Sequence, residues 1–107
     1  MGHYLVQVAY TPDAWAAMVK SPQDRIELVR PVVERLGGTM KEGFLSFGEY
    51  DVVGICELPD NVSAAAFSMA ASAGGAVKAF KTTPLMTMTE AVKAMKKAGK
   101  SSYQPPG

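Results

Sequence analysis

A chain of 107 residues, 48% hydrophobic and 20% charged, can hide roughly 65% of its extended surface on folding; that suffices for one core but not for a catalytic domain plus a regulatory one. Eleven Lys plus Arg against ten Asp plus Glu leave a formal charge of +1, which supplies no overall basic field for nucleic acid or an anionic membrane. One Cys and one His exclude a disulfide framework and a Cys/His zinc site within a single protomer.

Residues 3–10 are rich in aromatic and β-branched types and predict a strand that ends at Thr11-Pro12-Asp13. Thr11 can cap a short helix to Lys20 with Pro12 at its first position, where the missing N–H costs nothing. Ser21-Pro22 repeats the signal and predicts a second helix start. Ile26, Val29, Val33 and Leu36 then form one apolar stripe, with Asp24, Arg25, Glu27, Arg30, Glu34 and Arg35 largely off it. Pro31 interrupts the hydrogen bond to the carbonyl of Glu27, and Gly37-Gly38 ends the helix.

Residues 39–47 and 50–58 read as a β-hairpin turned tightly at Gly48-Glu49. The run Val52 to Cys56 is apolar at both parities, so both faces of that strand should be covered. The first strand is nearly as apolar on both sides. Helices can cover one face in so short a chain, and a second subunit is the expected cover for the other.

Pro59-Asp60-Asn61 caps an Ala-rich helix from Val62 to about Ala73, closed by Gly74-Gly75. Residues 76–82 predict a short fourth strand ending near Thr83-Pro84. Thr87-Met88-Thr89-Glu90 forms a capping box that opens a last helix to about Ala98. The domain is therefore expected over residues 1–99, with a disordered tail at 100–107. Strand, helix, strand, strand, helix, strand, helix is a ferredoxin-like βαββαβ order with an extra C-terminal helix, an α+β fold on an antiparallel four-stranded sheet. No secretory or myristoylation signal fits the N-terminus, and no run approaches the roughly 18 apolar residues of a membrane span, so a cytoplasmic protein is expected.

Candidate ligand-binding residues are Gln7, Tyr10, Trp15, Tyr50 and Asp51. Gln7 is the lone amide among apolar neighbours, able to line a polar cavity or to satisfy backbone at a subunit interface. It shares a face with His3, Leu5 and Ala9, opposite Tyr4, Val6, Val8 and Tyr10. Trp15, Met18 and Phe67 can wall an apolar pocket or simply pack helix on sheet. At the hairpin, Gly48 can supply a positive φ, Asp51 can bond nearby backbone, and Tyr50 can bury its ring with a wet hydroxyl. A proton-transfer role for Tyr50 with Asp51 as base or orienter needs both in one cavity, which adjacent strand residues do not share without a turn or bulge. His3 is expected at a frayed or edge position, and Cys56 acts as a small hydrophobe. The methionines lack metal-like spacing. Lys78, Lys81, Lys93, Lys96, Lys97 and Lys100 against Glu90 read as a solvated face, so no nucleic acid is expected. No residue is assigned a catalytic role, and no metal or organic cofactor is expected.

The stretch Leu45-Ser46-Phe47-Gly48-Glu49-Tyr50-Asp51-Val52-Val53 resembles the GYD-domain family. Tyr4-Leu5-Val6, Ser21-Pro22 with Arg25, Leu36-Gly37-Gly38 and Glu57-x-Pro59-Asp60 match in order around it, so the resemblance covers roughly residues 3–90. At Gly75-Ala76-Val77-Lys78 the chain departs from the family's Gly-Asn-Val-Arg. The resemblance implies a protomer like those of dimeric α/β-barrel proteins, in which two sheets face each other. By that analogy the expectation is a homodimer or higher homo-oligomer that binds a small apolar or aromatic molecule, with cofactor-independent enzymology open to it. The alternative is a non-catalytic structural or protein-interaction module.

Overall fold

Strand β1 (Gly2–Tyr10) sorts its side chains by parity, and the architecture follows from that sorting. In the computed structural model, which describes residues 1–107, Tyr4, Val6, Val8 and Tyr10 are buried while His3, Leu5 and Gln7 lie half-buried on the other face. The chain continues through α1 (Pro12–Lys20), α2 (Arg25–Arg35), β2 (Thr39–Leu45), β3 (Val52–Leu58), α3 (Asn61–Ala73), β4 (Val77–Leu85) and α4 (Met88–Gly99). One antiparallel sheet has the order β2-β3-β1-β4, with β1 between β3 and β4. This is the expected α+β, ferredoxin-like arrangement with an added C-terminal helix.

Local chemistry sets the helix starts. Thr11 accepts the Ala14 N–H at 3.1 Å, Asp60 the Ser63 N–H at 2.8 Å, and Thr87 with Glu90 completes the capping box. These bonds hold the Asp60 and Glu90 carboxyls below their usual range. The cap of α2 is not at Ser21-Pro22: Ser21 closes α1, and Asp24 accepts the Glu27 N–H at 3.2 Å. At the other end Gly37 adopts φ 88°, and a Cβ on Gly38 would stand 2.1 Å from the Glu57 carbonyl oxygen, so this turn needs both glycines.

Four expectations change. The β2–β3 connection is not a two-residue turn: residues 46–51 form a longer loop, which puts Tyr50 and Asp51 outside the strand. Gly48 does not take a positive φ there, and a Cβ on it would meet nothing within 4 Å. Strand β4 runs through Pro84 to Leu85, because it is an edge strand and one side of its ladder needs no donor. His3 is neither frayed nor at an edge, since it pairs with both Glu57 and Leu85 across an inner strand.

The core joins the helix-facing side of the sheet to α2 and α3, with Leu58, Val33 and Cys56 fully buried. Leu5, Val53, Ile55 and Phe44 stay outside it on the opposite face, which no helix covers. Helix α4 buries none of its residues and makes no extensive contact with another element, and the chain spans 58 × 34 × 22 Å. Its radius of gyration, 17.2 Å, exceeds the about 13 Å of a compact domain this size. No helix is long and apolar enough to cross a membrane.

One buried polar atom has no partner: Thr82 Oγ1, on β4 opposite Val6. A Thr82→Val substitution keeps the β-branched shape and removes the orphan hydroxyl, so it should stabilise the fold by about 1 kcal/mol. Thermal denaturation checks this, and a lower Tm would show that the hydroxyl is bonded in solution.

Candidate functional site

Between the sheet and helices α2 and α3 lies a cavity of about 310 Å³. Its floor includes Val6, Val8 and Tyr10 of β1, and its sides carry Ile26, Val29 and Val32 of α2 and Phe67, Ala70 and Ala71 of α3. Gly54 of β3 lines it without a side chain, and Gly43 of β2 lets Ile26 of α2 approach the sheet closely. Gly43 pairs with Gly54, and a Cβ on Gly43 would come 2.5 Å from Ile26 Cδ1. The alanine face of α3 withdraws the opposite wall, while Phe67 and Phe80 close one end edge-to-face at 5.4 Å.

A second cavity, about 350 Å³, opens beside the first. Trp15, Met18, Val19 and Leu45 line it, and Tyr10, Arg25, Ile26 and Val52 belong to both cavities. Tyr10 and Trp15 meet edge-on, ring centroids 5.8 Å apart.

Asp51 holds this junction from behind. Its Oδ2 accepts the Tyr10 backbone N–H at 2.8 Å and the Trp15 indole N–H at 3.2 Å. Its own N–H donates to Val8 O at 2.8 Å, and its carbonyl accepts from Ser46 N–H at 2.7 Å. Ser46 Oγ–H in turn donates to Tyr50 O at 2.6 Å. The carboxylate thus works as an orienter of Tyr10 and Trp15.

The five candidate residues therefore separate. Tyr10 and Trp15 form cavity wall, and Asp51 fixes both of them. Tyr50 sits half-buried in the loop and lines neither cavity, so Tyr50 and Asp51 do not make a pair within one pocket. Gln7 is on the uncovered sheet face between Val53 and Lys81. On that face His3 Nε2 lies 2.9 Å from Glu57 Oε1, with Lys41 Nζ at 3.8 Å.

Cys56 is fully buried, and burial pushes its thiol up to about 11, so the thiolate is negligible at neutral pH. Arg25, Gly54 and Ala71 are cavity residues outside the candidate set; Arg25 figures in the sequence only off the apolar stripe and in the family pattern at the start of the long helix. The isolated glycines at 43 and 54, inside strand patterns, were the available signal.

A protein-family model described as GYD domain matches residues 4–95. No curated protein matches the chain.

Proposed function

The chain belongs to the GYD-domain family, and on that premise we propose that it is a cytoplasmic homo-oligomer, at least a dimer, whose helix-to-sheet cleft binds a small apolar or aromatic molecule. The single observation that carries this reading is the apolar cavity of about 310 Å³, which packed side chains leave open in a domain with few buried residues to spare. Self-association is supported by two apolar surfaces that nothing in the chain covers. One is the sheet face of Leu5, Val53, Ile55 and Phe44; the other is the Met88, Val92 and Met95 stripe of α4.

The test is binding of a neutral aromatic probe, 2-naphthylmethanol, followed through Trp15, the one tryptophan of the chain. Wild type should bind it saturably, one per chain. Ala71→Phe, which fills part of the cavity from α3, should weaken binding at least about tenfold while thermal denaturation still shows a cooperative fold. Absence of saturable binding to wild type, or equal binding to the folded variant, overturns the cleft reading and leaves the interaction-module alternative.

A further inference from the structure

The first cavity is apolar apart from Arg25 and the phenol of Tyr10, and neither is paired with a carboxylate of the chain. Arg25 is the only charged residue lining the first cavity and the only cation lining either. Its recorded hydrogen bond is to a neutral acceptor, Gln23 Oε1 at 2.9 Å, and it takes part in no ion pair. The carboxylates nearest in sequence are engaged elsewhere. Glu27 grips Arg30 at 3.0 Å, and Asp24 spends Oδ1 on the Glu27 N–H.

Tyr10 belongs to both cavities and is only 6% exposed. Its ring is fixed by Trp15 and its backbone N–H by Asp51, while its hydroxyl reaches solvent and has no hydrogen-bond partner in the chain. Tyr4, by contrast, donates its hydroxyl to Asn61 Oδ1 at 2.7 Å. Arg25 also stands in the first turn of α2, where the helix dipole favours negative charge.

We propose that the ligand of this cleft is an amphiphilic monocarboxylate, its apolar body in the cavity and its carboxylate held at the Arg25 and Tyr10 end. This rests on the cleft reading above and adds to it the chemistry of the head group. At interior packing density the cavity holds roughly 12 non-hydrogen atoms, the size of a naphthalene or a medium-length alkyl chain with a small polar end. A planar guanidinium matches the two oxygens of a carboxylate, and the phenol supplies one further donor. One cation neutralises one charge, which favours a monoanion over a phosphate dianion. Asp24 lines the second cavity and is the one carboxylate there that could draw a cationic head instead, so an amine probe belongs in the test.

Three probes of one shape separate the outcomes: 2-naphthoate, 2-naphthylmethanol and 2-naphthylmethylamine, titrated against the full chain by calorimetry and Trp15 fluorescence. The carboxylate should bind about tenfold or more tighter than the alcohol, and the amine weakest. In Arg25→Met, which keeps the apolar stem, the acid-to-alcohol ratio should fall to about one, and Arg25→Lys should recover part of it. Equal binding of acid and alcohol to wild type overturns the head-group assignment and leaves the cleft reading standing. Tightest binding of the amine transfers the site to Asp24 and overturns it too. Failure of all three probes to bind overturns both.

Discussion

Replacing Asp51 with alanine should cost the fold about 2–3 kcal/mol and lower Tm by roughly 10 °C. The ladder between β1 and β3 ends at the Val8 and Val52 pair, and β1 shifts register against β4 between Ala9 and Tyr10. Tyr10 N–H therefore has no strand partner on the β3 side. Asp51 extends the ladder by one rung: its backbone N–H bonds Val8 O, and its side chain reaches on to the N–H of Tyr10. The same oxygen takes the indole N–H of Trp15. Alanine strands a buried donor and frees the indole together, whereas asparagine keeps one acceptor oxygen and should cost about 1 kcal/mol. Urea denaturation measures both variants, and a red shift of Trp15 emission in the alanine variant reports the freed ring. A loss below about 0.5 kcal/mol for alanine would show that water takes over both bonds, and that Asp51 does not orient the cavity wall.

What could be read along the chain was whatever depends on neighbours within a few residues. The caps at Thr11, Asp60 and Thr87 announce themselves because each bonds an N–H three positions on. Parity in β1 separated Tyr4, Val6, Val8 and Tyr10 from His3, Leu5 and Gln7, and the fold class followed from the order of elements. Which of the two faces met the helices was not legible, since both carry apolar residues; the tyrosines settle it by packing against α1 and α3 partners such as Trp15 and Phe67. Asp51 was recognised as a backbone binder, yet its partners lie 41 and 36 residues away, and no local pattern names them. The cavity depends on register. Gly43 meets Gly54 only because β2 slips one residue between Met40 and Glu42, and that irregularity leaves no mark in composition. Arg25 was grouped with charges off an apolar stripe, and only the packing of α2 on the sheet brings it to a cavity.

Placing a lysine at Ile55 should separate the proposed oligomer into monomers without unfolding the chain. Ile55 pairs with Leu5 on one side and Glu42 on the other, at the centre of the uncovered face. In an isolated protomer the new ammonium meets water, as Lys81 on the same face already does, so the cost to the monomer fold should stay below about 1 kcal/mol. In a two-fold assembly through this face the substitution occurs twice, and each copy buries a charge. An unpaired buried charge costs several kcal/mol, so the dimer dissociation constant should rise by about a thousandfold or more. Light scattering on a size-exclusion column reads the result directly, and urea denaturation of the monomeric variant checks its fold. Met95→Lys, made separately, asks the same of the α4 stripe, where the methionine is 62% exposed. Wild type eluting as a monomer at micromolar concentration would refute self-association through either surface. Dissociation by Met95→Lys alone, with Ile55→Lys still paired, would move the interface from the sheet to the projecting helix and leave the second face of the sheet open to a different partner.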